Sequence, residues 1–417
     1  MSNSMETDKK ILGWKKWKIG DWHLINRIQW GEEERSMLEK VLSDDWFGYG
    51  RINTEFEKKL SDFTGINYFN LTNSGSSAIE VAVKVLEAQD YWKKGDLVIH
   101  PITTFATSIS SAISQGLTPV YIDTKRFTYV ADPQQVKLAI EKHPEIKGMI
   151  LPYLIGNIPD LDEIKNYLDG RLLIEDCCDT LGGKFGDIHL GNLGDFVTFS
   201  FYGSHHITTG GGGGALGTKD ESLHATAKSA IYWGRDFKDK GGDFLKRYEY
   251  ETLGTNSQMP SLNAAFGSAQ IDRLPGFIKA RERQFSEMTE LFGESGYFHL
   301  PIIHKKAKPS FFAYPLTLKE DCPFNRAELV RYLRNNKVEV RPLMCGNIMH
   351  QKPFRKARGL ALTGEFPVAD EIQEKSFFAP CWGMPEEQKE DYYAIFKNFF
   401  SRYAKSTQSN EKYKLVI

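Results

Sequence analysis

From about residue 55, short continuous apolar runs alternate with amphipathic helical patterns, and this alternation limits the fold more than any other feature. FEKKLSDFTGI (56–66) reads as a helix and YFNLT (68–72) as a strand; NSGSS is a tight polar turn before a helix over AIEVAVKVLEAQ (78–89). Strand LVIHPI (97–102) precedes a helix over FATSISSAISQ (105–115), and strand TPVYID (118–123) a helix over PQQVKLAIEKH. KGMILPYLIG (147–156), RLLIEDCCD (171–179) and DFVTFSFY (195–202) read as further strands, with helix DLDEIKNYLDG between the first two. Runs without apolar–polar alternation suit strands covered on both faces. The order predicts an α/β fold with an open, mainly parallel sheet, whose ligands bind at the C-terminal strand ends.

Downstream the pattern changes. SLNAAFGSAQIDRLPGFIKARERQFSEMTELF (261–292) is a long amphipathic stretch in which Pro275 predicts a kink or two helices. From about 310, FFAYPLTLK reads as an alternating strand, RAELVRYLRNNK as a helix, VEVRPL as a strand and EEQKEDYYAIFKNFFSRY as a terminal helix. The expected organisation is an N-terminal arm (1–30), a large domain (31–295), a small α+β domain (296–404) and a polar tail (405–417).

Composition removes several classes of function. The 417 residues carry 53 basic and 54 acidic side chains, so no overall charge argues for nucleic-acid binding. No apolar run approaches the roughly 18 residues of a membrane span, and MSNSMETDKKILGWKKWK has no apolar signal core. A cytoplasmic chain is expected. Its cysteines (Cys177, Cys178, Cys322, Cys345 and Cys381) are odd in number and widely spaced, against a disulfide framework. Adjacent Cys177 and Cys178 chelate poorly, and no metal site is expected.

Three segments combine residue types that carry chemistry. NSGSSA (73–78) lies between a strand and a helix, where backbone N–H groups approach a phosphate and Ser76 and Ser77 add hydroxyls; the plain alternative is a helix cap. IEDCCD (174–179) ends an apolar strand on Glu175 and Asp176, suited to the protonated ring nitrogen of a heterocycle or to an ordinary cap or ion pair. SFYGSHHITTGGGGG (200–214) delivers Ser200, His205, His206 and then Gly210–Gly214. Adjacent histidines on an extended chain point apart, so a general base suits them better than a shared metal; a structural pair is the plain alternative.

In this order the segments resemble the DegT/DnrJ/EryC1/StrS sugar aminotransferases, over roughly residues 30–400. The resemblance implies the fold-type-I, aspartate aminotransferase-like architecture and pyridoxal phosphate as cofactor. It makes Gly75, Ser76 and Ser77 the phosphate turn and Phe105, in PITTF (101–105), the ring that stacks on the pyridine. It pairs Asp176 with the pyridine nitrogen, adds Asp179 to the cofactor shell and gives Ser200 to the phosphate. Asn256, in LGTN (253–256), would reach the phosphate in a neighbouring subunit, which implies a homodimer.

One departure dominates. His205 stands where the aminotransferases carry their Schiff-base lysine; Lys184 and Lys219 lie outside that position. The 3-dehydratase branch of the family shows this substitution. It implies non-covalently held pyridoxamine phosphate, His205 as the group that moves protons, and loss of the 3-hydroxyl from a nucleotide-linked 4-keto-6-deoxyhexose. One subtype is CDP-linked and needs cluster cysteines after a WGRD-like sequence. Here WGRDFKDKGGDFLKR (233–247) has none, so no iron–sulfur cluster is expected. The other subtype is GDP-linked, recharges its cofactor from L-glutamate and fits better, although NRAELVRYL and CGNIMH also look like the CDP enzyme. The nucleotide stays open. His206, Arg341 and Asn347 are substrate candidates, Arg341 as a clamp for a carboxylate or diphosphate. Other readings are a different cofactor-dependent nucleotide-sugar enzyme, or a non-catalytic member serving as a binding protein. Gly211 stands where many members carry glutamate.

Overall fold

The computed structural model describes residues 17–235, 246, 248–357, 359–361 and 364–411. Most of the cysteine-free segment 233–247, the first part of the expected arm and the end of the expected tail lie outside the described residues.

The strands are β1 (Tyr68–Thr72), β2 (Leu97–Pro101), β3 (Thr118–Ile122), β4 (Gly148–Pro152), β5 (Leu172–Asp176), β6 (Lys184–Phe185), β7 (Ile188–His189), β8 (Phe196–Ser200) and β9 (Gly214–Thr218). They continue with β10 (Phe298–His299), β11 (Ala307–Lys308), β12 (Tyr314–Leu318), β13 (Arg341–Pro342), β14 (Leu360–Ala361) and β15 (Ser376–Ala379). The helices are α1 (Glu32–Asp44), α2 (Arg51–Thr64), α3 (Gly75–Ala88), α4 (Ala106–Ser114), α5 (Pro133–Lys142), α6 (Leu161–Leu168), α7 (Glu221–Ile231), α8 (Ser261–Ser295), α9 (Arg326–Asn335), α10 (Lys352–Lys356), α11 (Pro367–Lys375) and α12 (Glu386–Glu411).

The large sheet has the order β1-β9-β8-β5-β4-β2-β3-β14. It is parallel from β8 to β14, while β9 runs antiparallel to both β8 and β1. One face packs Phe56, Leu60, Met149, Leu151, Phe199, Phe201 and Leu274, the other Val81, Val85, Trp92, Val98, Ile150, Phe196 and Leu216. Burial on both faces explains why these strands do not alternate. The end of the glycine run is a packing requirement: a Cβ on Gly214 would lie 2.4 Å from the Ser74 carbonyl carbon and 2.5 Å from the Gly75 nitrogen. β9 therefore seats directly under the N-terminus of α3.

A second core of Phe285, Met288, Phe292, Tyr314, Leu316, Leu329, Phe377, Tyr392 and Phe396 lies under the sheet β10-β12-β15-β13. Helix α8 serves both cores, through Leu274 in one and Phe285 to Phe292 in the other.

Several local expectations change. Helix α3 begins at Gly75, so the polar turn is its first turn; Ser74 caps it by accepting the Ser77 N–H. Helix α8 is one uninterrupted helix, with Pro275 at an exposed position rather than at a break. β12 is buried throughout rather than alternating, because its second face meets Tyr129, whose hydroxyl lies 2.8 Å from Thr317 Oγ1. VEVRPL contributes only the two residues of β13, and α12 runs on to Glu411, into the stretch expected as tail.

Candidate active site

A cavity of about 470 Å³ opens where β5 and β8 end and α3 and α4 begin. That is the position the strand order predicts. Ser74, Gly75 and Ser76 from α3, Phe105, Thr107 and Ser108 from α4, and Asp176, Cys178 and Asp179 after β5 line it. Ser200, Tyr202, Ser204 and His205 follow from β8, and Phe312, Arg341, Met344, Cys345 and Phe378 close it from the C-terminal part.

The floor is tightly satisfied. Asp176, 6% exposed, accepts from the Ser108 hydroxyl at 2.5 Å, the Thr198 hydroxyl at 3.3 Å and the Cys178 N–H at 3.3 Å. Its neighbour Glu175 faces the other way and takes the Leu193 and Gly194 N–H groups and the Tyr153 hydroxyl. Ser76 donates to Thr107 Oγ1 at 2.9 Å, tying α3 to α4. Gly75 lets Cys178 and Ser200 close onto the start of α3: a Cβ there would lie 2.8 Å from both Cys178 Sγ and Ser200 Cβ. The result is an anion cradle of helix N–H groups with Ser200 beside it. Phe105, 55% exposed, presents its ring at the lip.

The opposite wall is assembled from distant segments. His205 is partly buried, its side chain 14% exposed, with Tyr202 set edge-on at 6.1 Å and Phe312 tilted at 5.1 Å between centroids. Asn26 donates to the His205 carbonyl at 2.8 Å. Burial first, then the Arg281 and Arg341 charges, lowers the imidazole pKa to about 3, so the ring is neutral near pH 7. Arg281 is buried and meets no carboxylate among the described residues: it donates to the carbonyls of Phe311, Phe312 and Cys381 and to Asn26. Asp179 lies 3.7 Å from His205 Nε2, and burial raises its carboxyl to about 7. Burial also raises the Cys177 and Cys178 thiols well above their ordinary range.

Of the residues expected at a site, the cavity gathers Gly75, Ser76, Phe105, Asp176, Asp179, Ser200, His205 and Arg341. Arg341 is also held by Glu339, at 2.6 Å. Four others lie elsewhere. Ser77 turns back to Asn73 Oδ1 at 2.6 Å, because it completes the cap of α3. His206 points away from the cavity, its Nε2 on the Ser310 carbonyl at 3.1 Å, as the opposed directions of neighbouring side chains require. Asn347 caps the short 3₁₀ turn Ile348–His350 and donates to Asp370 at 2.7 Å. Asn256 is exposed and meets Gln258, outside this chain's cavity. Sequence reasoning did not reach Ser108, Thr107, Phe312 or Arg281. Ser108 alone left a signal, three residues after Phe105 and so on the same helical face.

The residues fit pyridoxal phosphate or its amine form. A phosphate suits the side-chain-free N–H groups at Gly75, and a buried carboxylate fixed by three donors suits a protonated pyridine. Among the described lining residues there is no lysine. No group of three or more metal-ligating side chains occurs among the described residues, and no described helix is long and apolar enough to cross a membrane.

The model of the DegT/DnrJ/EryC1/StrS aminotransferase family matches residues 29–397. Lipopolysaccharide biosynthesis protein RfbH of Salmonella typhimurium is 33% identical, over 89% of this chain and 90% of its own. A dTDP-4-dehydro-2,6-dideoxy-D-glucose 3-dehydratase of Saccharopolyspora spinosa is 29% identical, over 87% and 82%. GDP-perosamine synthases match as well, that of Vibrio cholerae at 27% over 88% and 96%. In fold, an E. coli GDP-4-keto-6-deoxy-D-mannose-3-dehydratase with bound hydrated pyridoxal phosphate superposes with a TM-score of 0.83, at 23% identity over 89% of this chain and 100% of that one. The chain therefore belongs to the DegT/DnrJ/EryC1/StrS aminotransferase family and has the α/β fold of its pyridoxal-phosphate enzymes.

Proposed function

We propose that this protein is a pyridoxamine-phosphate-dependent lyase that removes the 3-hydroxyl of a nucleotide-linked 4-keto-6-deoxyhexose, on the way to a 3,6-dideoxysugar. The observation that carries the reading is His205 on the cavity wall, opposite Asp176, with no lysine among the described lining residues. A histidine cannot bond covalently to the cofactor aldehyde, so the cofactor is held by contacts alone.

The bound cofactor supplies an amine for the sugar ketone and a pyridinium that accepts electron density. Gly75, Ser76 and Ser200 hold its phosphate, Asp176 keeps its ring nitrogen protonated, and Phe105 covers its ring. His205, neutral at working pH, would take the proton from the carbon beside the ring and give it to the departing 3-hydroxyl, which leaves as water. Arg341 and the Met344–Cys345 segment bound the sugar side of the cavity. No cluster chemistry is invoked: the cysteines absent from 233–247 favour release by hydrolysis and recharging from L-glutamate. Asn256, exposed and bridged to Tyr232, supports a homodimer with shared sites, in a cytoplasmic protein divided as 31–295 and 296–404.

The test is a panel of GDP-, CDP- and dTDP-linked 4-keto-6-deoxyhexoses, with and without glutamate, read by mass for loss of the C3 oxygen. Replacement of the C4 oxygen by an amine instead would make the protein an aminotransferase. Failure of the purified chain to retain pyridoxamine phosphate would remove the enzyme reading altogether.

A further inference from the structure

The turn after β4 is strained on one residue. Ile155 has φ 59° and ψ 9°, a left-handed conformation that a β-branched side chain strongly disfavours. It is held from all sides. The Phe312 N–H donates to the Ile155 carbonyl at 3.0 Å, the Gly156 N–H to Tyr153 at 3.0 Å, and the Thr180 hydroxyl to the Gly156 carbonyl at 3.2 Å. What this conformation achieves is to aim the Ile155 N–H at Asp179 Oδ2, at 3.2 Å. The other oxygen of that carboxyl is then left facing His205 Nε2 across 3.7 Å.

The surroundings of His205 give that carboxyl a task. Two cationic groups act on the ring, Arg281 from α8 and Arg341 from β13, and the next imidazole along the chain is His206. Tyr202 and Phe312 supply only ring faces and edges. Among the other carboxylates, Asp176 is occupied by Ser108, Thr198 and the Cys178 N–H, and Glu339 by Arg341 and the Ile25 N–H. A protonated His205 would therefore be disfavoured on every side except that of Asp179.

We infer that Asp179 is the proton partner of His205: a positioning residue, set by the strained Ile155 amide, that stabilises the imidazolium formed when His205 takes the proton from the carbon beside the cofactor ring. The proton count is conserved. The proton leaving carbon goes to the imidazole, closing the 3.7 Å gap turns the contact into a charge-assisted hydrogen bond, and the imidazolium then gives that proton to the departing 3-hydroxyl, which leaves as water. The inference rests on the function proposed above only for the source of the proton. The pairing itself belongs to the free protein, where the two groups already face each other at 3.7 Å.

The experiment is ¹⁵N-histidine NMR of the full chain across pH 5–9, with and without pyridoxamine phosphate, His205 being assigned from H205N. In the cofactor-free wild type the His205 ring signals are expected to move with a midpoint near pH 7 as Asp179 ionises. In D179N, which keeps an oxygen for the Ile155 N–H, that inflection disappears. Loaded enzyme should lose about tenfold or more in kcat in D179N with KM nearly unchanged, and D179E should recover part of it. An unchanged inflection in D179N, flat His205 signals in the wild type, or wild-type kcat in D179N would each overturn the inference. A chain that shows the NMR coupling but no loss of the C3 oxygen would retain the pair and overturn only the proposed function.

Discussion

The floor and the far wall of the cavity are built on opposite terms. At the floor, Asp176, Ser108, Thr198 and Gly75 come from strand ends and helix starts of one sheet, and Asp176 has three donors. At the wall, His205 meets Asn26, Phe312, Arg281 and Asp179, drawn from the N-terminal segment, the C-terminal part, helix α8 and the turn after β5. Here a guanidinium is buried and meets no carboxylate among the described residues, a carboxyl is raised, an imidazole is lowered and Ile155 carries strain of about 1–3 kcal/mol. A satisfied site binds; a site whose groups are held away from their preferred protonation states is placed to exchange protons.

That contrast breaks most directly at His205. H205N should cut turnover by roughly 10²–10⁴-fold while leaving cofactor retention close to wild type, measured as kcat beside a binding titration. If retention collapses instead, wall and floor are one unit. The next largest effect falls on stability. R281M strands the carbonyls of Phe311, Phe312 and Cys381 and should cost roughly 3 kcal/mol in a denaturant titration. A smaller change at the floor, S108A, removes one charge-assisted bond to Asp176 and should weaken pyridoxamine phosphate about tenfold, leaving the unfolding midpoint nearly fixed. Acid stability changes as well. The lowered His205 favours the folded state above the unfolded histidine pKa of about 6.5, and that contribution is lost as pH falls toward 3. H205N should therefore lose stability less steeply than wild type between pH 6.5 and 4, read from denaturant midpoints.

Legibility in the sequence divides along the same line. The floor was readable because each part is a contiguous motif: NSGSSA caps a helix, IEDCCD ends a buried strand, and Phe105 announces α4. Ser77 and Asn347 face away from the cavity, Ser77 donating to Asn73 Oδ1 and Asn347 accepting the Met349 N–H, because the residue type does not say which way such side chains turn. His206 was offered beside His205, yet backbone direction sends one ring into the cavity and the other onto Ser310. Pro275 predicted a break that α8 tolerates at an exposed position.

By itself the sequence determined the alternation of buried strands and helices, the order of the cofactor motifs and the presence of a histidine in place of a lysine. These follow from hydrophobic periodicity and from local chemistry within a few residues. Only the tertiary structure decided that Arg281 stands behind His205, that Phe312 leans on its ring and that the strained amide of Ile155 turns Asp179 toward it. Their partners are separated by up to hundreds of residues in the chain. The contacts depend on burial and on side-chain direction, which no local pattern encodes.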